Sequence, residues 1–180
     1  MKNFIIKIIS KICIFYFTYR YFGKVTFGKN IRMNWKFKFS GKGKLIIKNN
    51  VCLWAHEEWN RFQTYSDEAV IEIGESSKLN GGLFQVRNKI VVGKNCIIGS
   101  AILLDNDFHY IDPKKRFSEY EEKGVEIIIG DNVWIAGQAV ILKGVTIAKN
   151  SMVGMRAVVT RNVGGNRVVA GNPAKEVKKL

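Results

Sequence analysis

Two histidines, His56 and His109, are the side chains in this sequence best suited to move a proton near neutral pH. His109 ends the polar run Asp105-Asn106-Asp107-Phe108-His109. A neutral imidazole there could take a proton from a hydroxyl, provided a carboxylate fixes its tautomer. Asp105, Asp107 and Asp112 are the candidates, and Asp107 is carried forward beside His109 as catalytic. His56 stands among Trp54, Glu57, Glu58 and Trp59 and is read as a structural loop histidine. Two histidines cannot supply a zinc site that needs three imidazoles from one chain. Cys13, Cys52 and Cys96 are far apart and lack metal-ligand spacing, so no metal is expected. Their odd number argues against a disulfide framework and for a reducing compartment. The sequence has no GxGxxG, Walker or GxSxG motif.

The surrounding elements follow from a period. From Ile129 to Val163 aliphatic residues recur every sixth position, at Ile129, Ile135, Ile141, Ile147, Val153 and Val159. Four places after each comes a smaller partner: Val133, Ala139, Val145, Ser151, Ala157 and Val163. Neither a helix nor a single strand has this beat, whereas a parallel β-helix does. Three flat faces then make one triangular coil, with the aliphatic residue inward and small residues at the corners. Upstream, Phe27, Met33, Phe39, Ile47, Leu53, Ile73, Leu79, Val92, Ile98 and Leu104 continue the beat, with Cys96 and Ile102 among their partners. Two stretches break it, 54–68 and 105–126, and are expected to be outward loops. The division predicted is a helical extension over 1–24, a β-helix over 25–171 and a C-terminal helix over 172–180. Asn172 would cap that last helix, with Pro173 at its first position.

The formal net charge is +14, and it is unevenly spread. Residues 1–56 hold twelve Lys or Arg and no Asp or Glu. Membrane lipid, a phosphate-linked acceptor and nucleic acid are all anionic partners that would answer this asymmetry. In residues 1–24, Lys7 and Lys11 share one side of a helix; Phe4, Ile5, Ile8, Ile9, Ile12, Phe15 and Tyr16 cover most of the other. Such a helix either lies in an anionic lipid headgroup layer or caps the open end of the solenoid, and the two roles are compatible. Its apolar stretch is too short to span a bilayer, and no cleavage site follows it. The expectation is a cytoplasmic protein, with peripheral contact at the inner face of the plasma membrane left open. Nucleic acid is set aside, because Phe37 and Phe39 fit the inward beat rather than a stacking platform.

The motifs Asp131-Asn132-Val133-Trp134-Ile135-Ala136-Gly137, Ala157-Val158-Val159-Thr160-Arg161 and Ala170-Gly171-Asn172-Pro173-Ala174-Lys175 together resemble the hexapeptide-repeat acyltransferases. The likeness is greatest to the maltose and galactoside O-acetyltransferases and the sugar O-acetyltransferases of polysaccharide gene clusters. It covers roughly His109 to the C-terminus. What the resemblance implies is a left-handed parallel β-helix, assembled as a homotrimer with active sites between subunits. It further implies acetyl transfer from acetyl-CoA to a sugar hydroxyl of a glycan, in a ternary complex, with His109 as general base. Gly137 N–H would face the oxyanion, and Trp134, Met155 and Ala157 would border the coenzyme A channel. Thr160, Arg161, Lys175 and Lys178 would lie near its adenosine and phosphates. Asn80, Arg87 and Asn106 are assigned to the acceptor. Trp134, Ile128 and Val140 alternate with the inward set and could meet a partner subunit.

The chain also departs from that family. Met155-Arg156 stands where small residues are common, and Gly164 replaces a common proline. Two other readings stay open at this point: N-acetylation of a nucleotide-linked amino sugar, and a non-catalytic scaffold or glycan-binding protein.

Overall fold

The computed structural model describes residues 2–180; Met1, the first residue of the expected 1–24 extension, lies outside them. Helix α1 (Lys2–Arg20) is followed by a left-handed parallel β-helix of three faces. Face A stacks Val25–Phe27, Lys44–Ile47, Val70–Ile73, Lys89–Val92, Ile127–Ile129 and Thr146–Ile147. Face B stacks Arg32–Met33, Cys52–Leu53, Lys78–Leu79, Ile97–Ile98, Trp134–Ile135, Met152–Val153 and Arg167–Ala170. Face C stacks Phe37–Gly41, Asn60–Thr64, Gly82–Val86, Ala101–Leu104, Val140–Ile141 and Val158–Val159.

Parallel pairing sets each residue over its counterpart in the next coil, ~4.8 Å away, so inward residues stack only on inward ones. All twelve positions of the six-residue beat between Ile129 and Val163 are buried. The N-terminal half fills the same space with aromatics. Phe37, Phe62 and Phe84 succeed one another down face C at ring separations of 5.6 and 5.0 Å. The corner between faces A and B needs a left-handed residue in every coil. Asn30, Asn50, Asn95, Asn132, Asn150 and Asn166 take it at φ of 56–61°, and Ser76 at 60°. Asn adopts this region at small cost, and its side chain can bond along the stack. Asn132 donates to Asn150 at 3.0 Å and Asn150 to Asn166 at 3.1 Å.

Helix α1 closes the N-terminal mouth. Cys13 and Phe17 join the core beside Met33 and Phe37, and Ser10 Oγ accepts the N–H of Met33 at 3.1 Å. Burial pushes the Cys13 thiol up to about 11, and it raises Cys96 as well. At pH 8 the thiolate fraction of Cys13 is then only ~10⁻³, and access is blocked too. Alkylation of the native chain, read by peptide mass spectrometry, should therefore modify half-exposed Cys52 about a hundredfold faster than Cys13. Equal rates would mean that α1 is not docked.

Several expectations fail in instructive ways. The C-terminus is not a helix: Lys175–Lys179 is a strand that turns back antiparallel on Arg167–Ala170. Asn172 and Pro173 shape the turn between them, and turn chemistry resembles a helix start. The stretch 54–68 is not one loop, since Asn60–Thr64 is a regular strand of face C with Asn60, Phe62 and Thr64 buried. Leu104 does not point inward. Only five positions separate Ile98 from Leu103, the next large inward residue, with Ala101 buried between them, so Ile102 and Leu104 face outward. Trp134, Ile128 and Val140 lie on faces B, A and C respectively, one on each.

Candidate active site

The segment 105–126 leaves the solenoid at the edge between faces C and A and returns to the same edge. Asp105 holds it there. Its fully buried carboxylate accepts the N–H groups of Arg87, Asn88 and Lys89 at 2.7–3.0 Å. Its carbonyl accepts Val125 N–H at 2.7 Å, which ties the two ends of the loop together. Arg87 lies under the loop, with its guanidinium 5.0 Å from the ring centroid of Tyr120. Tyr120 in turn packs on Tyr110.

His109 is exposed on this loop. Phe108, just before it, sits in the left-handed region at φ 63°, a conformation uncommon for a bulky residue. Two contacts hold it: its N–H donates to Asn106 Oδ1 at 3.1 Å, and its ring meets Tyr65 edge-on at 5.0 Å. The loop thus fixes the backbone beside the imidazole before any ligand arrives.

The carboxylates do other work than the sequence suggested. Asp107 pairs with Lys143 of the next coil rather than with His109. The hydrogen bond to Asp107 is the main reason the Lys143 ammonium is held above its ordinary value. Asn106 is buried and committed to Asp105 and Phe108, so it cannot reach an acceptor. Arg87 is a support for the loop rather than a free binding group.

The second region lies on face B, at its edge with face C. A groove of about 620 Å³ there is lined by Trp54, His56, Asn80, Ile97, Gly99 and Trp134, among others. Asn80 Oδ1 accepts the N–H of His56 at 3.0 Å, which joins two coils at the groove wall. Trp134 is 48% exposed and Met155 64%. At Gly137 the corner is open, with nothing within 4 Å of where a Cβ would stand. Ala136 and Gln138 donate their N–H groups to Val153 and Ser100, whereas Gly137 N–H has no acceptor among the described residues. Gly99 keeps that N–H accessible, because a Cβ there would come within 2.7 Å of Gly137 N.

Ala157 is fully buried in the core, so its side chain cannot border a coenzyme channel. Thr160 and Arg161 are exposed at the C–A edge, one coil beyond Lys143. Lys178 pairs with Val168 and extends the outward column Trp134, Met152, Val168 on face B; Lys175 is exposed on the same strand. The candidates therefore fall into two sets. His109, Asp107, Lys143, Thr160 and Arg161 belong to one edge of face C, and Asn80, Gly137 and Met155 to the other, beside Trp134 on face B. Asn80 and Arg87, assigned together to the acceptor, are on opposite edges. Among the described residues no three His, Cys, Asp or Glu side chains are grouped to share a metal ion. Lys143 reads in the sequence only as one of several C-terminal basic residues that a polyanionic coenzyme could meet; its pairing with Asp107 is not legible there, since nothing in the spacing links residues 36 positions apart.

A profile of the bacterial transferase hexapeptide (six repeats) matches residues 126–161. The galactoside O-acetyltransferase of Escherichia coli is 32% identical over 141 residues, which cover 77% of this chain and 69% of that protein. The chain belongs to the hexapeptide-repeat acyltransferases. Among solved structures, the polysialic acid O-acetyltransferase OatWY superimposes with a TM-score of 0.70 at 26% identity, over 86% of this chain and 74% of that one. A galactoside acetyltransferase in complex with coenzyme A gives 0.60 at 26%, over 79% and 65%. The chain spans only 58%, 44% and 56% of the length of three further relatives, from Dictyostelium discoideum, Schizosaccharomyces pombe and Saccharomyces cerevisiae.

Proposed function

We propose that this protein transfers an acetyl group from acetyl-CoA to a sugar hydroxyl of a cell-envelope or capsular polysaccharide, or of its lipid-linked precursor. The support is family membership together with the names of the relatives at 26–32% identity, which act on galactosides and on polysialic acid. The observation that carries the reading is the split of the candidate residues between the two edges of face C. The groove does not include His109, and the one histidine at its wall, His56, is tied by its backbone N–H to Asn80. A ring of copies, each setting its C–A edge against the groove of the next, completes every site by one repeated contact. The outward residues between those edges, Leu83, Ile102, Val140 and Val158, form an apolar column suited to such packing.

In the proposed site the thioester of acetyl-CoA lies along Trp134 and Met155 of one copy, with its phosphates toward Arg161, Lys175 and Lys178. His109 of the neighbouring copy removes the proton from the acceptor hydroxyl as its oxygen attacks the thioester carbonyl. The tetrahedral oxyanion is met by the free Gly137 N–H. Collapse expels the coenzyme A thiolate, which the His109 imidazolium reprotonates.

Mixing two inactive variants tests the split. His109→Ala removes the base, and Trp134→Glu sets a carboxylate against the polyanionic coenzyme at an exposed position. Each alone should be nearly inactive. Co-expressed in equal amounts, they should regain about one quarter of wild-type activity, because a random ring gives each shared site that chance of two intact edges. A site within one chain would regain none.

A further inference from the structure

We propose that the outer face of α1 seats the protein on an anionic lipid bilayer, so that the prism stands on the membrane by its N-terminal end. The helix is apolar on two opposite arcs. The inner arc, with Cys13 and Phe17 at its centre, closes the solenoid. The outer arc carries Phe4, Ile5, Ile8, Ile12, Phe15, Tyr16 and Tyr19, which fall within about 120° of the helix circumference. Phe22 follows in the turn beyond. Phe15, Tyr19 and Phe22 are 79%, 83% and 87% exposed. A terminal cap that only closed a solenoid would turn a polar face outward. Eight large apolar side chains in one contiguous patch are more than a monomer surface ordinarily leaves bare.

Charge selects the occupant. Lys7 and Lys11 are exposed on one flank of the arc, and Lys24, Lys29, Lys42, Lys44 and Lys48 are exposed on the first coils beneath it. No Asp or Glu occurs before Glu57. A second copy docked end to end would bring two such basic ends together with no acid to pair them. A nucleic acid would answer the lysines but not Ile5, Ile8 and Ile12. An anionic headgroup layer answers both, with the helix lying in its plane and its apolar arc in the acyl boundary. Among the described residues no helix is long and apolar enough to cross a membrane, so the contact is a seat rather than a span. Because α1 covers an end of the prism, lipid contact leaves all three faces and the loop at 105–126 free. Copies packed side by side would present their helices in one plane and bind cooperatively through effective concentration.

The test is vesicle flotation of the full chain, and its outcome is independent of acetyl transfer. Vesicles of phosphatidylcholine alone are compared with vesicles in which about a third of the lipid is phosphatidylglycerol, at about 0.1 M salt. Binding to the anionic vesicles should be at least about tenfold stronger. Lys7→Gln with Lys11→Gln should weaken it about ten- to thirtyfold, at about 1 kcal/mol for each charge near the surface. The triple change of Phe15, Tyr19 and Phe22 to Ser should weaken it about as much with an unchanged thermal midpoint, since all three are exposed. Equal flotation with both vesicle types would overturn the proposal, and this comparison needs no variant to fold. So would the absence of flotation, whether accompanied by end-to-end pairs in light scattering that the triple change disperses or by retention of an oligonucleotide.

Discussion

His109→Ala is expected to lower turnover by about 10²–10⁴ while acetyl-CoA affinity stays within about twofold. The imidazole projects from an excursion at the edge between faces C and A, outside the packed coils, so its removal opens no cavity in the core. The groove proposed for the donor lies on face B, at its edge with face C, and does not include it. The loss should therefore fall equally on kcat and kcat/KM, as befits a group that acts only in the transition state. Steady-state kinetics, calorimetric titration with acetyl-CoA and a thermal melt separate the possibilities. Near-normal turnover would remove His109 from the mechanism. A matching collapse of the melting midpoint would reassign it to structure.

Asp105→Ala should be the most disruptive change at the edge that carries His109, costing about 3–5 kcal/mol. Three backbone N–H groups converge on its carboxylate in a fully buried corner. Alanine leaves them without an acceptor, at about 1–3 kcal/mol each before relaxation. The loop would loosen with them, because the chain at Asp105 also receives Val125. Urea unfolding should show a lower midpoint, and limited proteolysis should cut first between 106 and 124. Asp105→Asn keeps one acceptor oxygen and should recover part of the loss. A midpoint unmoved by the alanine change would mean that water replaces the carboxylate at no cost.

How much of this could be read beforehand depends on the corners. Between Ile129 and Val163 each coil has the same length, so a fixed beat names every inward residue. At Leu79 to Phe84 and Ile98 to Leu103 the step is five, and one missing residue reverses which side chain faces the core. That reversal turned Leu104 outward and placed Asp105 in a buried corner, where it anchors the loop rather than orienting a histidine. The polar run Glu57-Glu58-Trp59-Asn60-Arg61 concealed a strand because only Asn60, Phe62 and Thr64 of it turn inward. At the C-terminus, Asn172 and Pro173 argued for a helix; pairing with Arg167–Ala170, a tertiary effect, overrode them. For the candidate site, motifs singled out His109, Trp134 and Gly137, but not which edge each occupies. Asp107 was matched to its neighbour in sequence, whereas its partner Lys143 is brought near only by the winding of the chain.

The returning strand at Lys175–Lys179 bears on how the molecule behaves in crowded solution. A ladder of parallel coils offers unsatisfied main-chain groups at its final rung, a template on which another molecule could continue. On face B the direction of that rung is reversed, and its rim carries Lys175, Lys178 and Lys179. An incoming chain would have to oppose its own strand to this rim, where three lysines flank a Glu176 already paired with Arg167, so continuation of the parallel ladder along face B is disfavoured.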